Sequence, residues 1–176
     1  MAEPLAPWSR SWRLADWPNL LANDFERPAL PTAIVFAHGY LAPLPQAYWL
    51  GSLKLMHDLR RRGIVLEVVR APVTGPVTER ARRLADVLAK SRADRIVLVG
   101  HSMGGLDARF AVQAYDRDRR VTDVVTLGTP HRGTLLADLV HRLRHRLPQP
   151  LRQIDQGGLG DLTRAAARRF NERVPD

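Results

Sequence analysis

The chain has 176 residues, with 27 Lys plus Arg against 18 Asp plus Glu and no cysteine, a composition that excludes disulfide scaffolds, thiolate metal sites and cysteine nucleophiles. At 45% hydrophobic residues it can bury a core, and the length suits one domain. No apolar run reaches the roughly 18 residues that a membrane span needs, and the first ten residues lack the basic start and apolar stretch of an export signal, so the chain as written reads as cytoplasmic, or as secreted if a signal has been removed.

Residues 1–30 carry Trp8, Trp12 and Trp17 among several prolines with no sustained period, and read as an irregular arm that packs by its indoles. From Thr32 the pattern changes. The run Thr32 to Gly39 is short, apolar and β-rich and ends at glycine, and similar runs follow at Ile64–Val69, Arg95–Gly100 and Val121–Gly128. Helical spacing separates them: Trp49, Leu53 and Met56, then Val77, Ala81, Leu84 and Leu88, then Met103 to Tyr115. Strands alternating with helices predict an α/β fold with a parallel sheet, whose ligands bind beyond the carboxyl ends of the strands. Beyond Leu136 the chain reads as helical to Leu147, breaks at Pro148 and Pro150, and resumes as a helix over Asp161–Arg173 with Asp161 or Thr163 near its start.

The positive charge is almost all arginine, since only Lys54 and Lys90 are lysines. The clusters at 60–62, 80–83, 117–120 and 142–146 fall within amphipathic segments and read as solvated helix faces. No aromatic-interleaved basic motif or zinc-finger spacing accompanies them, so no nucleic-acid partner is expected.

Gly100-His101-Ser102-Met103-Gly104 matches Gly-x-Ser-x-Gly, between a predicted strand and a predicted helix. The physical requirement is a sharp turn that lifts a hydroxyl above the sheet, flanked by residues without side chains where strand and helix crowd together. The following helix aims its free amides and positive dipole end at an oxyanion formed there. Met103 N–H is then one oxyanion donor, and Tyr40 N–H, in the loop after the first strand, is the second. A polar residue in an ordinary strand–helix turn is the plainer alternative for Ser102, and His38 is expected to hydrogen-bond backbone and shape its loop. Asp107 and Arg109, on the helix after Ser102, read as a surface ion pair. His141 and His145 lie four apart on a predicted helix, but arginines surround them and no carboxylate completes a site, so no metal is expected.

Ala33-Ile-Val-Phe-Ala-His-Gly-Tyr40, Tyr48-Trp49, Val97-Leu-Val-Gly-His-Ser-Met-Gly-Gly-Leu106 and Thr126-Leu-Gly-Thr-Pro-His-Arg-Gly133 together resemble the bacterial esterase and triacylglycerol lipase family of the α/β-hydrolase fold. The resemblance spans about Pro31 to Asp176. It implies a mostly parallel sheet with helices on both faces, Ser102 as nucleophile, Met103 and Tyr40 as backbone oxyanion donors, and hydrolysis of a carboxylic ester through a serine acyl-enzyme. The implied partner is a small-molecule ester or lipid, and no cofactor is expected. Such lipases often hold a structural calcium through carboxylates of a late region that has no counterpart here, so none is expected.

The resemblance also places an acid Asp after one later strand and a base His after the next, and neither is found before Asp176. Residues 31–176 therefore read as a partial α/β-hydrolase domain without its last strands. His131, at the carboxyl end of the fourth strand, is the one candidate for a substitute base, although in the family pattern its position belongs to a structural turn. Two alternatives stay open: a catalytically inactive truncated hydrolase or binding module, and a thioesterase or amidase, for which the same turn would serve. Residues 136–160 lie where related lipases carry a cap or lid, whose leucines could cover an acyl groove or meet a lipid surface. Val121 to Leu127, as an open strand edge, could mediate self-association.

Overall fold

Side chains of β1 (Thr32–Ala37) alternate between two cores, as the pleat of a strand buried on both faces requires. Ala33 and Val35 join one cluster with Leu84, Leu88, Ile96, Leu98, Ala108 and Ala111. Ile34 and Phe36 join a second with Met56, Leu66, Val68 and Val99. The computed structural model describes residues 32–40, 53–146 and 155–175, with Gln149 and Gln153. The arm over 1–30 and the helical start at Trp49 lie outside them.

After β1 come α1 (Leu53–Arg61), β2 (Val65–Val68), α2 (Val77–Lys90), β3 (Arg95–His101), α3 (Met103–Tyr115) and β4 (Val121–Leu127). Then follow α4 (Leu135–Leu143), a 3-10 turn (Arg144–Arg146), α5 (Gly158–Asp161) and α6 (Arg164–Arg173). The four strands are parallel in the order β2-β1-β3-β4, an α/β-hydrolase-like sheet as the sequence predicts. Met56 of α1 packs on one face, while α2 and α3 supply the core of the other. The apolar stripe of α2 is buried at Val77, Ala81, Leu84 and Leu88, and each fully buried leucine contributes about 1.5–3 kcal/mol.

The chain leaves β1 toward β2 and later leaves β3 toward β4, in the opposite direction along the sheet. Loops after β1 and β3 thus diverge at the point where the strand order reverses, which opens a crevice at their carboxyl ends. Register pairs Ala37 with Gly100. Continuing it by two residues brings Gly39 beside Ser102.

The late helix predicted up to Arg173 runs over Arg164–Arg173, with Thr163, one of the two residues expected near its start, as its cap: the hydroxyl accepts from Ala166 N. Asp161 instead ends the separate short helix α5. The long helix predicted to Leu147 ends as α-helix at Leu143 and tightens into the 3-10 turn, so His141 and His145 do not share an α-helical face. Among the described residues no helix is long and apolar enough to cross a membrane.

Candidate active site

Ser102 is the hinge between β3 and α3, with φ 51 and ψ −125. Apart from Arg119 it is the one described non-glycine residue with positive φ, a conformation that costs on the order of 1–3 kcal/mol and persists only where surroundings hold it. Several contacts do so. Ser102 N donates to Leu127 O of β4 at 2.8 Å, and Ser102 O accepts from Gly105 N at 3.1 Å. The glycines around it leave no space for a β-carbon. One at Gly100 would lie 2.5 Å from backbone atoms of Gly104 and Gly105, and one at Gly104 would strike the backbone of Ala37 and His38.

Met103 opens α3, so its amide belongs to the first turn, where no preceding intrahelical carbonyl is available. The loop after β1 approaches from the other side. The Gly39 side chain position is 2.9 Å from Ser102 Cβ when filled by a β-carbon. His38 is wholly buried, and its ring contacts Gly39 O through Nδ1 at 2.8 Å and Ala71 O through Nε2 at 3.2 Å. Burial lowers its pKa below the ordinary imidazole value, aided by the nearby Arg80 charge. A neutral ring has a single N–H, and the shorter contact assigns it to Nδ1. In a trans peptide the N–H points opposite to the C=O, so a Gly39 carbonyl turned toward the His38 ring turns Tyr40 N–H away from it. His38 thus shapes the loop through backbone, as expected.

Two residues read as surface groups, Asp107 and Arg80, are buried. Asp107 pairs with Arg80 and not with Arg109. Asp107 is 2% exposed and accepts from Nε of Arg80 at 2.8 Å, an ion pair wholly inside the protein. Arg80, placed by sequence in a solvated arginine cluster, also donates to Pro72 O and His38 O, each at 2.5 Å. Burial pushes the Asp107 carboxyl up to about 7 against the opposing pull of Arg80. The physical reason for the misreading is register. Arg80 lies four residues before Leu84 and eight before Leu88, on the stripe that faces the core, and Asp107 lies midway between buried Met103 and Ala111.

His131 lies in the loop after β4, on the Ser102 edge of the sheet. Arg109 Nη1 donates to its Nδ1 at 3.1 Å, which leaves Nε2–H to face Thr126 Oγ1 at 3.1 Å. Asn171 of α6 holds its carbonyl at 2.8 Å, and Arg109 continues to Asn171 Oδ1 and Val174 O. The ring is thereby built into a network joining α3, α6 and the β4 loop.

The Tyr40 hydroxyl donates to Asp155 Oδ1 at 3.0 Å, and the same oxygen accepts from Gly157 N and Leu159 N. Burial and the Asp155 hydrogen bond raise the Tyr40 pKa. Sequence reasoning gave no sign of this link, which ties the loop after β1 to the start of α5. On α4, Leu135, Leu136, Leu139 and Leu143 are all exposed. Among the described residues no three His, Asp or Glu side chains gather as a metal site.

Residues 77–154 match the model of the PGAP1-like alpha/beta domain family. A triacylglycerol lipase of Burkholderia plantarii is 29% identical over 163 residues, covering 80% of this chain and 44% of that lipase. Triacylglycerol lipase 2 of Saccharomyces cerevisiae is 30% identical over 102 residues, covering 53% of this chain and 30% of that enzyme. The crystal structure of a metagenomic carboxyl esterase superposes with a TM-score of 0.65 at 26% identity, covering 82% of this chain and 46% of the esterase. The chain thus spans less than half the length of these relatives.

Proposed function

Taking as premise that the chain belongs to the lipase and esterase family of α/β-hydrolases, we propose that it is a carboxylic-ester hydrolase acting through an acyl-enzyme on Ser102. The observation that carries this reading is the strained Ser102 turn, φ 51, with the Gly39 loop packed against it. Strain of this kind is retained where the chemistry needs it.

Ser102 Oγ attacks the acyl carbon and its proton passes to a general base. The carbonyl oxygen becomes an oxyanion held by Met103 N–H, at the positive end of α3, and Tyr40 N–H. Collapse of the tetrahedral species expels the alcohol and leaves the acyl group on Ser102, which water then releases. No described residue is assigned as base in this reading. His131 is assigned a structural role, supported by the engagement of both ring nitrogens with Arg109 and Thr126.

The same occupied ring favours a second reading, a hydrolase fold that is modified at Ser102 but turns over an ester slowly or not at all. The substrate class is an ester or lipid. The segment 136–160 is proposed as a cap, with the exposed leucines of α4 turned toward a lipid surface, and β4 as an edge open to self-association.

Fluorophosphonate labelling with mass spectrometry, run beside a short-chain ester assay, tests the proposal. Modification at Ser102 that vanishes in Ser102→Ala is expected. Ester turnover unchanged in that variant would overturn the assignment.

A further inference from the structure

We propose that Arg80 is a positioning residue for the oxyanion-binding loop, holding the His38 carbonyl from behind so that the loop amides face Ser102. The inference rests on the reading of Ser102 as nucleophile.

Three features converge on Arg80. Its side chain is wholly buried, and every donor found for it is aimed: Nε at Asp107 Oδ2, Nη1 at Pro72 O and Nη2 at His38 O. A planar guanidinium presents these donors in fixed directions, which a flexible ammonium does not. The acceptors come from three separate places, namely α3, the loop after β2 and the loop after β1. Arg80 itself belongs to α2, so one side chain fixes the β1 loop relative to the helix that begins at Ser102.

Direction follows from peptide geometry. With the His38 carbonyl turned to Arg80, the Gly39 N–H points the opposite way. The His38 ring fixes the next peptide in turn, through Gly39 O. Space is constrained as tightly, since a β-carbon at Gly104 would lie 2.8 Å from His38 O and one at Gly39 would lie 2.9 Å from Ser102 Cβ. A His38 carbonyl released from Arg80 would let the His38–Gly39 peptide rotate, and the Tyr40 amide, one peptide further along the loop, would lose its fixed direction. Asp107 accepts from Arg80 through Oδ2, and its Oδ1 has no hydrogen-bond partner among the described residues. It neutralises Arg80 and fixes its azimuth.

The experiment compares wild type, Arg80→Lys and the double variant Arg80→Met/Asp107→Leu. The double variant removes both charges, so no unpaired ion stays in the core, and it is expected to fold with a Tm within a few degrees of wild type. The first readout is the second-order rate constant for phosphonylation of Ser102 by a fluorophosphonate, in which Ser102 Oγ displaces fluoride and its proton leaves to solvent. A fall of about 10- to 100-fold is expected in the double variant, less than the roughly 10²–10³ of deleting an oxyanion donor outright. Arg80→Lys, which keeps the charge beside Asp107 but not the fork, is expected to fall between the two. The second readout is amide hydrogen exchange, with faster exchange expected across residues 38–41 and unchanged exchange in β3.

A folded double variant that labels at the wild-type rate would overturn the inference. So would Arg80→Lys labelling at the wild-type rate with unchanged exchange at 38–41, should the double variant fail to fold. Absence of labelling in wild type would instead sink the reading of Ser102, and exchange at 38–41 would still decide whether Arg80 holds the loop.

Discussion

Gly39 and Ser102 meet so closely that a β-carbon on Gly39 would lie 2.9 Å from Ser102 Cβ and 3.1 Å from the His101 ring. Ser102 Cβ cannot yield freely, because the strained turn after β3 fixes it. Gly39→Ala should therefore push the loop away from Ser102 and slow phosphonylation about 10- to 100-fold, with a stability cost of about 1–3 kcal/mol for overpacking. Gly104→Ala meets the backbone of Ala37 and His38 and should cost more stability. Thermal denaturation alongside labelling rates would separate the two, and a Gly39→Ala protein that labels normally would refute the close approach.

Ser102→Gly tests the strain itself. Glycine adopts φ 51 without steric cost, so this variant should be more stable than wild type by about 1 kcal/mol, or roughly 2–4 °C in Tm. Ser102→Ala keeps the β-carbon and should gain nothing. Equal melting temperatures for the two variants would show that the turn stores no strain.

His131→Ala should lower Tm by several degrees while leaving phosphonylation of Ser102 within a few-fold of wild type, because it removes the contacts to Arg109 and Thr126 at about 1–2 kcal/mol. Loss of labelling in a variant that remains folded would make His131 the base.

How far the site could be read from sequence depended on whether a residue's role is local. The Gly-x-Ser-x-Gly turn declares itself because its requirement, a sharp bend with no side chains beside it, falls on neighbouring residues. Strands β1 to β4 and helix α3 were legible for the same reason, since apolar runs and helical spacing are local patterns. Arg80 and Asp107 were not, because two charges can be read as a buried pair only once α2 and α3 are known to pack together. The hint was present in the spacing of Arg80 with Leu84 and Leu88. The Tyr40–Asp155 bond carried no such hint.

His38 makes stability depend on pH. Its burial and the Arg80 charge lower its folded pKa below 6.5, so below that value the unfolded chain binds a proton that the folded chain still refuses. Stability should fall as pH drops through 6.5 toward the folded value, and the His38 contribution should be constant above it. His101 shifts in the same direction through burial. Urea denaturation at about pH 5 and about pH 7.5 should show a smaller difference in His38→Asn than in wild type. An unaltered difference would remove His38 as its source.

Val125 and Leu127 on β4 are 44% and 43% exposed beside an unpaired strand edge among the described residues. Sedimentation should show concentration-dependent association that Val125→Lys suppresses, as an edge charge does. A protein that is monomeric at all concentrations would contradict the open edge.

The central pairing of β1 with β3 joins segments distant in the chain, Thr32 with Arg95 and Ala37 with Gly100. Every other strand pair in the sheet is also parallel and bridged by a crossover, a topology that forms slowly because loop closure precedes the reward of contact. Gly39 can reach Ser102 only after that middle pairing is complete. Reactivity at Ser102 is consequently a clock for refolding: it reports the completion of the β1–β3 pairing.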